Sequence, residues 1–369
     1  MSAVGIIFSD IHDWSVAEMS VNRTVASIPY GGRYRLVDFA LSNMVNSGIF
    51  KVAMITKSNY QSLMDHVGSG KEWDLSRKNG GLMIYPPYSV GESEGLYKGR
   101  LDALKRMKSF LQNSYEEHVV MSDCDMLCNI DLNDVISYHE SVGADITTVY
   151  KEGLLTEDRK THSIVYKLDE EGRVRRVLAK TAQEGYECIG LNIWVMRRDY
   201  LLYLISDAIS YGYKHFSEDL LVNRCGEMRL MGYGFKGYYA HIDSLKSYIK
   251  YNLDMIDQEK RRSLFSRPVY TKIRDLAPTK YAEGVRVENS LIAEGCEIEG
   301  HVQNSIIFDG VRISRGSVVR NSIVMHNSII DNQSVLNWVV ADKNVIVRDR
   351  KVLSADESYP MYIRKGAMI

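Results

Sequence analysis

The sequence predicts an α/β domain with a mostly parallel, Rossmann-like sheet over residues 1–262, followed by a parallel β-helix over residues 263–369, linker included. Three observations carry that expectation. Short apolar runs alternate with segments of helical spacing in the first part, as in open parallel sheets. From Gly284 onward aliphatic residues recur six apart, with Val311, Ser317, Ile323, Ile329, Val335 and Ala341 in one register and Val318, Val324, Ile330 and Leu336 in another. A hexapeptide period is the mark of a parallel β-helix. Finally, 369 residues are too many for one ordinary core.

Ala3–Phe8 (AVGIIF) reads as a buried first strand. In a doubly wound sheet, the turn after that strand is where phosphate sits on backbone N–H groups. Such a turn needs glycine, because a Cβ blocks close approach. Here no glycine lies between Gly5 and Gly31. The stretch from Pro29 to Ile49 joins a turn at Gly31 and Gly32 to Arg33 and Arg35. A helix follows, with Leu36, Phe39, Ala40 and Met44 at helical spacing and Gly48 as its stop.

Lys51–Thr56 is a second strand, and residues 60–67 carry helical spacing through Leu63, Met64 and Val67. Residues 68–95, rich in Gly, Ser, Pro and Tyr, read as a long surface excursion with a strand-like Leu82–Tyr85 inside it. Gly99–Phe110 is helical. His118–Met121 is a third strand running into Ser-Asp-Cys-Asp, which puts carboxylates at the end of a parallel strand, where ligands bind in open α/β sheets. Further strands are expected over 143–150, on either side of the turn at 169–172, over 189–196 and over 237–242. Helices are expected over 199–209, 215–222 and 244–256. In the second domain Ser290, Ser305, Ser322 and Ser328 precede aliphatic pairs. An antiparallel sandwich would instead alternate at period two.

A net charge of −1 leaves no electrostatic footprint for nucleic acid or an anionic membrane. With no apolar run of about 18 residues and no leader pattern, the expected location is the cytoplasm. The five cysteines (Cys124, Cys128, Cys188, Cys225 and Cys296) form no second pair with Cys124 and Cys128 and read as reduced thiols, not a zinc site. His12, His66 and His301 have no partners at ligand spacing and read as surface or core histidines.

The stretch PYGGRYRLVDFALSNMVNSGI resembles the GGKYRIIDF-LSN-NSGI signature of the ADP-glucose pyrophosphorylases, also called glucose-1-phosphate adenylyltransferases. The resemblance continues at Tyr97-Lys98-Gly99 with Asp102-Ala103 (family WYxGTADA), at Phe216 with Asp219 (family DFGKD), and at 237–254 (family GYWxDVGTxxSYWxAN). It covers almost the whole chain and implies a nucleotidyltransferase domain followed by a left-handed β-helix. It also implies a chemistry: a sugar 1-phosphate oxygen attacks the α-phosphorus of ATP and pyrophosphate leaves. That reaction needs a glycine-rich, arginine-bearing loop on the triphosphate, a lysine near the phosphates, and two aspartates holding Mg²⁺.

Against those needs the sequence departs from the family. Where the family has LAGGxGTRLxPLT, this chain has FSDIHDWSVAEMS: the glycines and the arginine are gone, and Asp10 and Asp13 put like charge where phosphates would go. Family RAKPAV resembles RTVASI, so Arg23 is kept and the lysine position is Val25. Asp125 matches the first metal aspartate, with Asp123 the second choice. The other metal aspartate is replaced by His241, and Asp243 lies two residues on, able by strand alternation to face the same side. Family EKP resembles Ala179-Lys180-Thr181. No intact catalytic set is therefore expected. Asp125 (as a vestigial metal ligand), His241 and Lys180 are its remnants, and Lys57, Gly99, Asp102, Lys180 and Asp219 form a weak substrate-binding set.

Family arginines at the positions of Arg23 and Arg35 help bind anionic effectors, so Arg23, Arg33, Arg35, Arg364 and Lys365 are effector candidates. The plainer reading of the same residues is a solvated turn. The resemblance thus implies a regulatory, non-catalytic subunit of bacterial glycogen biosynthesis. It would assemble with a catalytic ADP-glucose pyrophosphorylase subunit as a heterotetramer, or with itself as a homo-oligomer, and take a sugar-phosphate effector. The alternatives are an active enzyme using Asp125, Lys180, Lys57 and His241 with Mg²⁺, and a sensor that binds sugar phosphate or nucleotide without turnover. No cofactor is expected otherwise, and no nucleic acid or membrane partner.

Overall fold

The computed structural model describes residues 2–9, 16–87, 97–156, 162–180 and 182–369. Its first part is a nine-stranded sheet flanked by helices. β1 (Ala3–Phe8) is buried along its whole length, as a strand covered on both faces must be. It pairs in parallel with β2 (Lys51–Ile55) and β4 (His118–Asp123), and β2 pairs in parallel with β3 (Gly81–Tyr85). A short β5 (Met126–Cys128) follows β4. The other half of the sheet is mixed. It contains β6 (Ile146–Leu155), the hairpin of β7 (Ile164–Leu168) and β8 (Val174–Ala179), β9 (Gly185–Arg197) and β10 (Leu230–Gly234). The long β9 runs antiparallel to β4, β6 and β7, while β10 runs parallel to β6. Outside this sheet, β11 (Tyr239–His241) pairs antiparallel with β5.

Residues 68–80 form the surface excursion expected of them, exposed at all but Gly70, Trp73 and Leu75, and the strand expected at Leu82–Tyr85 lies in β3; residues 88–95 of that expectation lie outside the described residues. Trp73 and Leu75 are buried, Trp73 sits edge-on to His66, and β3 forms an edge of the central sheet. The turn into β3 depends on Gly81, whose φ is +79° and where an added Cβ would lie 2.5 Å from the Leu75 carbonyl oxygen. Glycine there serves the tight turn by which the exposed segment enters the sheet.

Helix α1 (Leu36–Asn46), the core of the Gly-Gly signature, is buried at ten of its eleven positions. Val37, Leu41 and Met44 pack with Val52 and Met54 of the sheet, and Leu36 and Phe39 pack with Ile306, Phe308 and Ile323 of the second domain. It is thus a shared wall between the two halves. Asp38 closes its N-terminus, accepting from the Arg35 N–H at 2.9 Å and meeting His66 Nε2 at 2.6 Å.

The second part is a left-handed parallel β-helix of three five-stranded sheets. Val302, Val319 and Leu336 stack on one face, and Ile306, Ile323 and Val340 on another. The serines before the aliphatic pairs point inward and brace successive coils. The Ser322 N–H donates to Ser305 Oγ at 3.1 Å, and the Val339 N–H to Ser322 Oγ at 3.1 Å, each across 17 residues. Among the described residues no helix is long and apolar enough to cross a membrane, and all five cysteines are free thiols.

Candidate functional site

Two places concentrate polar side chains. One is the crevice at the ends of the parallel strands, and the other is a cleft where the β-helix meets the sheet domain. The segment after β1, including Asp10, His12 and Asp13, lies outside the described residues, as does Thr181.

In the crevice, β4 delivers Asp123 at its last position, 2% exposed. Facing it is Arg100, the first residue of α2 (Arg100–Arg106) and 6% exposed. Arg100 Nε donates to Asp123 Oδ1 at 3.0 Å, and Nη2 donates to Oδ2, a two-pronged, charge-assisted contact. The guanidinium carbon lies 5.1 Å from the Trp194 ring and 5.9 Å from that of Phe8, so apolar walls fix its plane.

Asp125 is buried two residues further on, with its carbonyl accepting from the Ile242 N–H at 2.8 Å. That bond, with the β5–β11 pairing, brings His241 between two carboxylates. Its Nε2 is 3.7 Å from Asp125 Oδ2 and its Nδ1 is 3.6 Å from Asp243 Oδ2. Both separations exceed hydrogen-bond length, but all three side chains are buried together. His241 and Asp243 do face one side, as strand alternation anticipated.

The remaining family positions build scaffold. Gly99 passes so close to the chain that an added Cβ would lie 2.4 Å from the Lys214 carbonyl oxygen, which accepts from the Leu101 and Asp102 N–H groups at 3.0 and 3.2 Å. Asp102 accepts from the Lys98 N–H at 3.0 Å. Asp219 accepts from those of Lys214 and His215 at 2.7 and 2.8 Å. Lys57 lies 5.7 Å from the centre of the Tyr97 ring. Lys180, exposed and in the left-handed region at φ +64°, sits 2.7 Å from Glu218.

Whether these residues suit the Mg²⁺ of the family chemistry is a question of donor set. A divalent cation there needs carboxylate oxygens facing an open position. Asp123 already carries a guanidinium, and an imidazole stands between Asp125 and Asp243. Among the described residues no group of three or more His, Cys, Asp or Glu is arranged to hold a metal ion. The residues present do not fit the ion.

The cleft has a volume of about 970 Å³. The signature turn contributes Arg33 and Arg35, residues 258–276 contribute Arg261, Arg262, Lys272 and Arg274, and the β-helix contributes Lys343 and Lys365. Against these eight cations stand Asp65, Glu294 and Asp309. Asp309 is itself engaged by His326 and by Arg274 at 3.0 Å, and these partners hold its carboxyl below the usual range despite burial. Arg35 is anchored on the Ser62 carbonyl and hydroxyl at 2.6 and 3.1 Å, with burial pulling its pKa to about 10. Burial, then the nearby charges of Arg35 and Arg23, pull Lys343 down to about 7. The arrangement is a strongly cationic cleft whose field favours anions, with Lys343 the cation that burial and like charges bring near neutrality.

Of the five effector candidates, Arg33, Arg35 and Lys365 lie on this wall. Arg23 is buried instead against Asp342, which also accepts from the Tyr362 hydroxyl, and Arg364 is exposed off the wall. Sequence reasoning missed Arg100, although it stands where the WYxGTADA motif has threonine. It also missed Arg261, Arg262, Lys272, Arg274 and Lys343, for which no local signal exists because folding alone assembles them.

A pH dependence follows from Lys343. A bound anion favours its charged form, so binding above pH 7 must take up a proton. Sulfate, whose own charge is constant in this range, is expected to bind on the order of tenfold more weakly at pH 9 than at pH 6. Titration calorimetry in two buffers of different ionisation heat checks it, and K343M should flatten the profile. The unfolded lysine keeps its proton up to about pH 10.4, so the ligand-free chain gains stability between roughly pH 7 and 10. Affinity for sulfate independent of pH would contradict this account.

Comparison with known proteins adds a separate finding. Residues 18–258 match the family described as nucleotidyl transferase, and residues 277–359 match the GlmU-like, C-terminal hexapeptide family. The chain is 32% identical to the glycogen biosynthesis protein GlgD of Bacillus subtilis (strain 168), over 98% of this chain and 96% of that protein. It is 34% identical to the glucose-1-phosphate adenylyltransferase of Thermosipho africanus (strain TCF52B), over 80% and 72% of the two chains. To the enzyme of that name from Bacillus mycoides (strain KBAB4) it is 29% identical, over 93% and 92%.

Proposed function

Since the chain belongs to the glucose-1-phosphate adenylyltransferase (ADP-glucose pyrophosphorylase) family of nucleotidyl transferases, we propose that it acts in glycogen biosynthesis as a non-catalytic subunit that modulates a catalytic partner. The observation that carries this reading is the contrast within one crevice. The packing residues of the family motifs (Gly99, Asp102 and Asp219) hold the scaffold, while Asp123 is neutralised by Arg100 and His241 stands between Asp125 and Asp243. A chain of this kind keeps the shape of an enzyme without its chemistry. What it offers a partner is a surface and a regulated state.

The cationic cleft supports the second half of the reading. It joins the signature turn to the β-helix, so an anion bound there tightens one domain on the other. A sugar phosphate combines the anionic group with a polar body that suits the cleft's mixed wall of Arg, Lys and aliphatic side chains. In this role the cleft conveys effector occupancy to the assembled enzyme.

Co-expression with the catalytic glucose-1-phosphate adenylyltransferase subunit of the same cell tests the proposal. A mixed tetramer by mass photometry, with a higher rate of ADP-glucose formation or a shifted effector response relative to the catalytic subunit alone, is the expected result. Separate homo-oligomers with unchanged kinetics would overturn it.

A further inference from the structure

We propose that Arg100 is a tethered substitute for a divalent cation: its guanidinium holds the charge of Asp123, two residues before Asp125, and closes the crevice to metal ions. The family's metal is thereby replaced by the chain itself, a conclusion about charge balance independent of any partner subunit.

The warrant is first geometric. Arg100 is at the start of α2, where the close approach of Gly99 to Lys214 fixes the backbone, so its side chain enters the crevice from a rigid anchor. Its guanidinium carbon lies near the rings of Trp194 and Phe8, and its fork closes on both oxygens of Asp123. Buried carboxylates demand a counter-charge, because isolated burial of an ion costs several kcal/mol. The field on Arg100 comes from Asp123 first, then Asp125 and Glu218. A buried carboxylate at the end of a parallel strand, with Asp125 two residues on, stands where the family chemistry would seat its ion, and here a guanidinium is clamped on that carboxylate.

The substitution is also chemically coherent. A guanidinium is planar, always charged and weakly hydrated, so it is the side chain that desolvates most readily beside a carboxylate. It supplies one positive charge, where a divalent ion supplies two. His241, between Asp125 and Asp243, occupies the other side of the same crevice. A mobile ion that also binds phosphate has become a fixed cation whose donors on this side are committed to Asp123.

The test removes the charge and keeps the packing. In R100M the methionine side chain still fills apolar space near Trp194 and Phe8, while Asp123 loses its guanidinium and Glu218 keeps Lys180 and His215. Mn²⁺ binding, followed by the electron paramagnetic resonance of the free ion, is expected to strengthen on the order of 10–10³-fold over wild type, the range set by a fixed opposing charge at this distance. Mg²⁺ should compete, and the double variant R100M/D123N should lose the gain. If R100M folds but binds Mn²⁺ no better than wild type, or if D123N leaves the gain intact, the proposal is wrong. If R100M does not fold alone, purification with Mg²⁺ or Mn²⁺ present decides the matter. Recovery by the divalent ions, and not by NaCl at equal ionic strength, supports it; failure under both conditions overturns it. No outcome depends on substrate or partner, so failure here leaves the subunit reading to its own co-assembly test.

Discussion

Purified alone with ATP, glucose 1-phosphate and Mg²⁺, the chain is expected to form ADP-glucose at least about 10³-fold more slowly than a catalytic family member. The size of the effect comes from what the crevice lacks. Losing one electrostatic stabiliser of a transition state typically costs ~10²–10³ in rate. Here the triphosphate loop has no glycine between Gly5 and Gly31, the lysine position is Val25, and the crevice carboxylates already face Arg100 and His241. These losses act on one transition state, so they do not multiply in full. They also cannot be reversed singly. R100T restores the threonine of the family motif, but the triphosphate still meets no cradle, and its rate is expected to stay at the wild-type level. Single-turnover assays with labelled ATP measure both chains. ADP-glucose formation at several per second by the wild type would refute the non-catalytic reading outright.

Which parts of this were legible in the sequence follows from how locally each feature is encoded. β1 and α1 were readable because their burial is written as an uninterrupted apolar run and as helical spacing. The β-helix was readable because successive coils repeat inward serine and aliphatic positions, although the step from coil to coil over its three faces is 17 residues in most pairs, 15 near its start and 22 at its last. Residues 68–80 were readable as a surface excursion from their polar, glycine-rich composition, while the close approaches of Gly70 and Gly81 and the burial of Trp73 and Leu75 that pin it were not. The lost phosphate loop was visible as missing glycines. Its consequence, a crevice balanced by its own arginine, was visible only when β4 and α2 were set side by side. The cationic cleft was half visible: the signature turn displayed Arg33 and Arg35, while Lys343, Arg261 and Arg274 come from segments that meet only in three dimensions.

Replacing Arg23 with methionine is expected to destabilise the fold by about 3–5 kcal/mol, the usual result of stranding one member of a buried ion pair. Arg23 and Asp342 are 4% and 0% exposed and tie the segment before the signature turn to the β-helix. In R23M the Asp342 carboxylate keeps the Tyr362 hydroxyl and the Lys343 amide, the latter at 2.7 Å, but no fixed positive charge at contact distance. The double variant R23M/D342L removes both charges and should recover most of the loss, because a buried pair often adds little net stability over apolar packing of similar size. Denaturant unfolding of the three chains gives the comparison, and an R23M within 1 kcal/mol of wild type would count against the bridge. A second readout separates this role from packing alone. Arg23 is one of the charges that lower Lys343, so its removal should raise the Lys343 pKa from about 7 and move the pH midpoint of sulfate binding upward with it. A residue first singled out as an effector ligand would then be acting one layer behind the cleft, setting the pH at which the cleft's own lysine holds its charge.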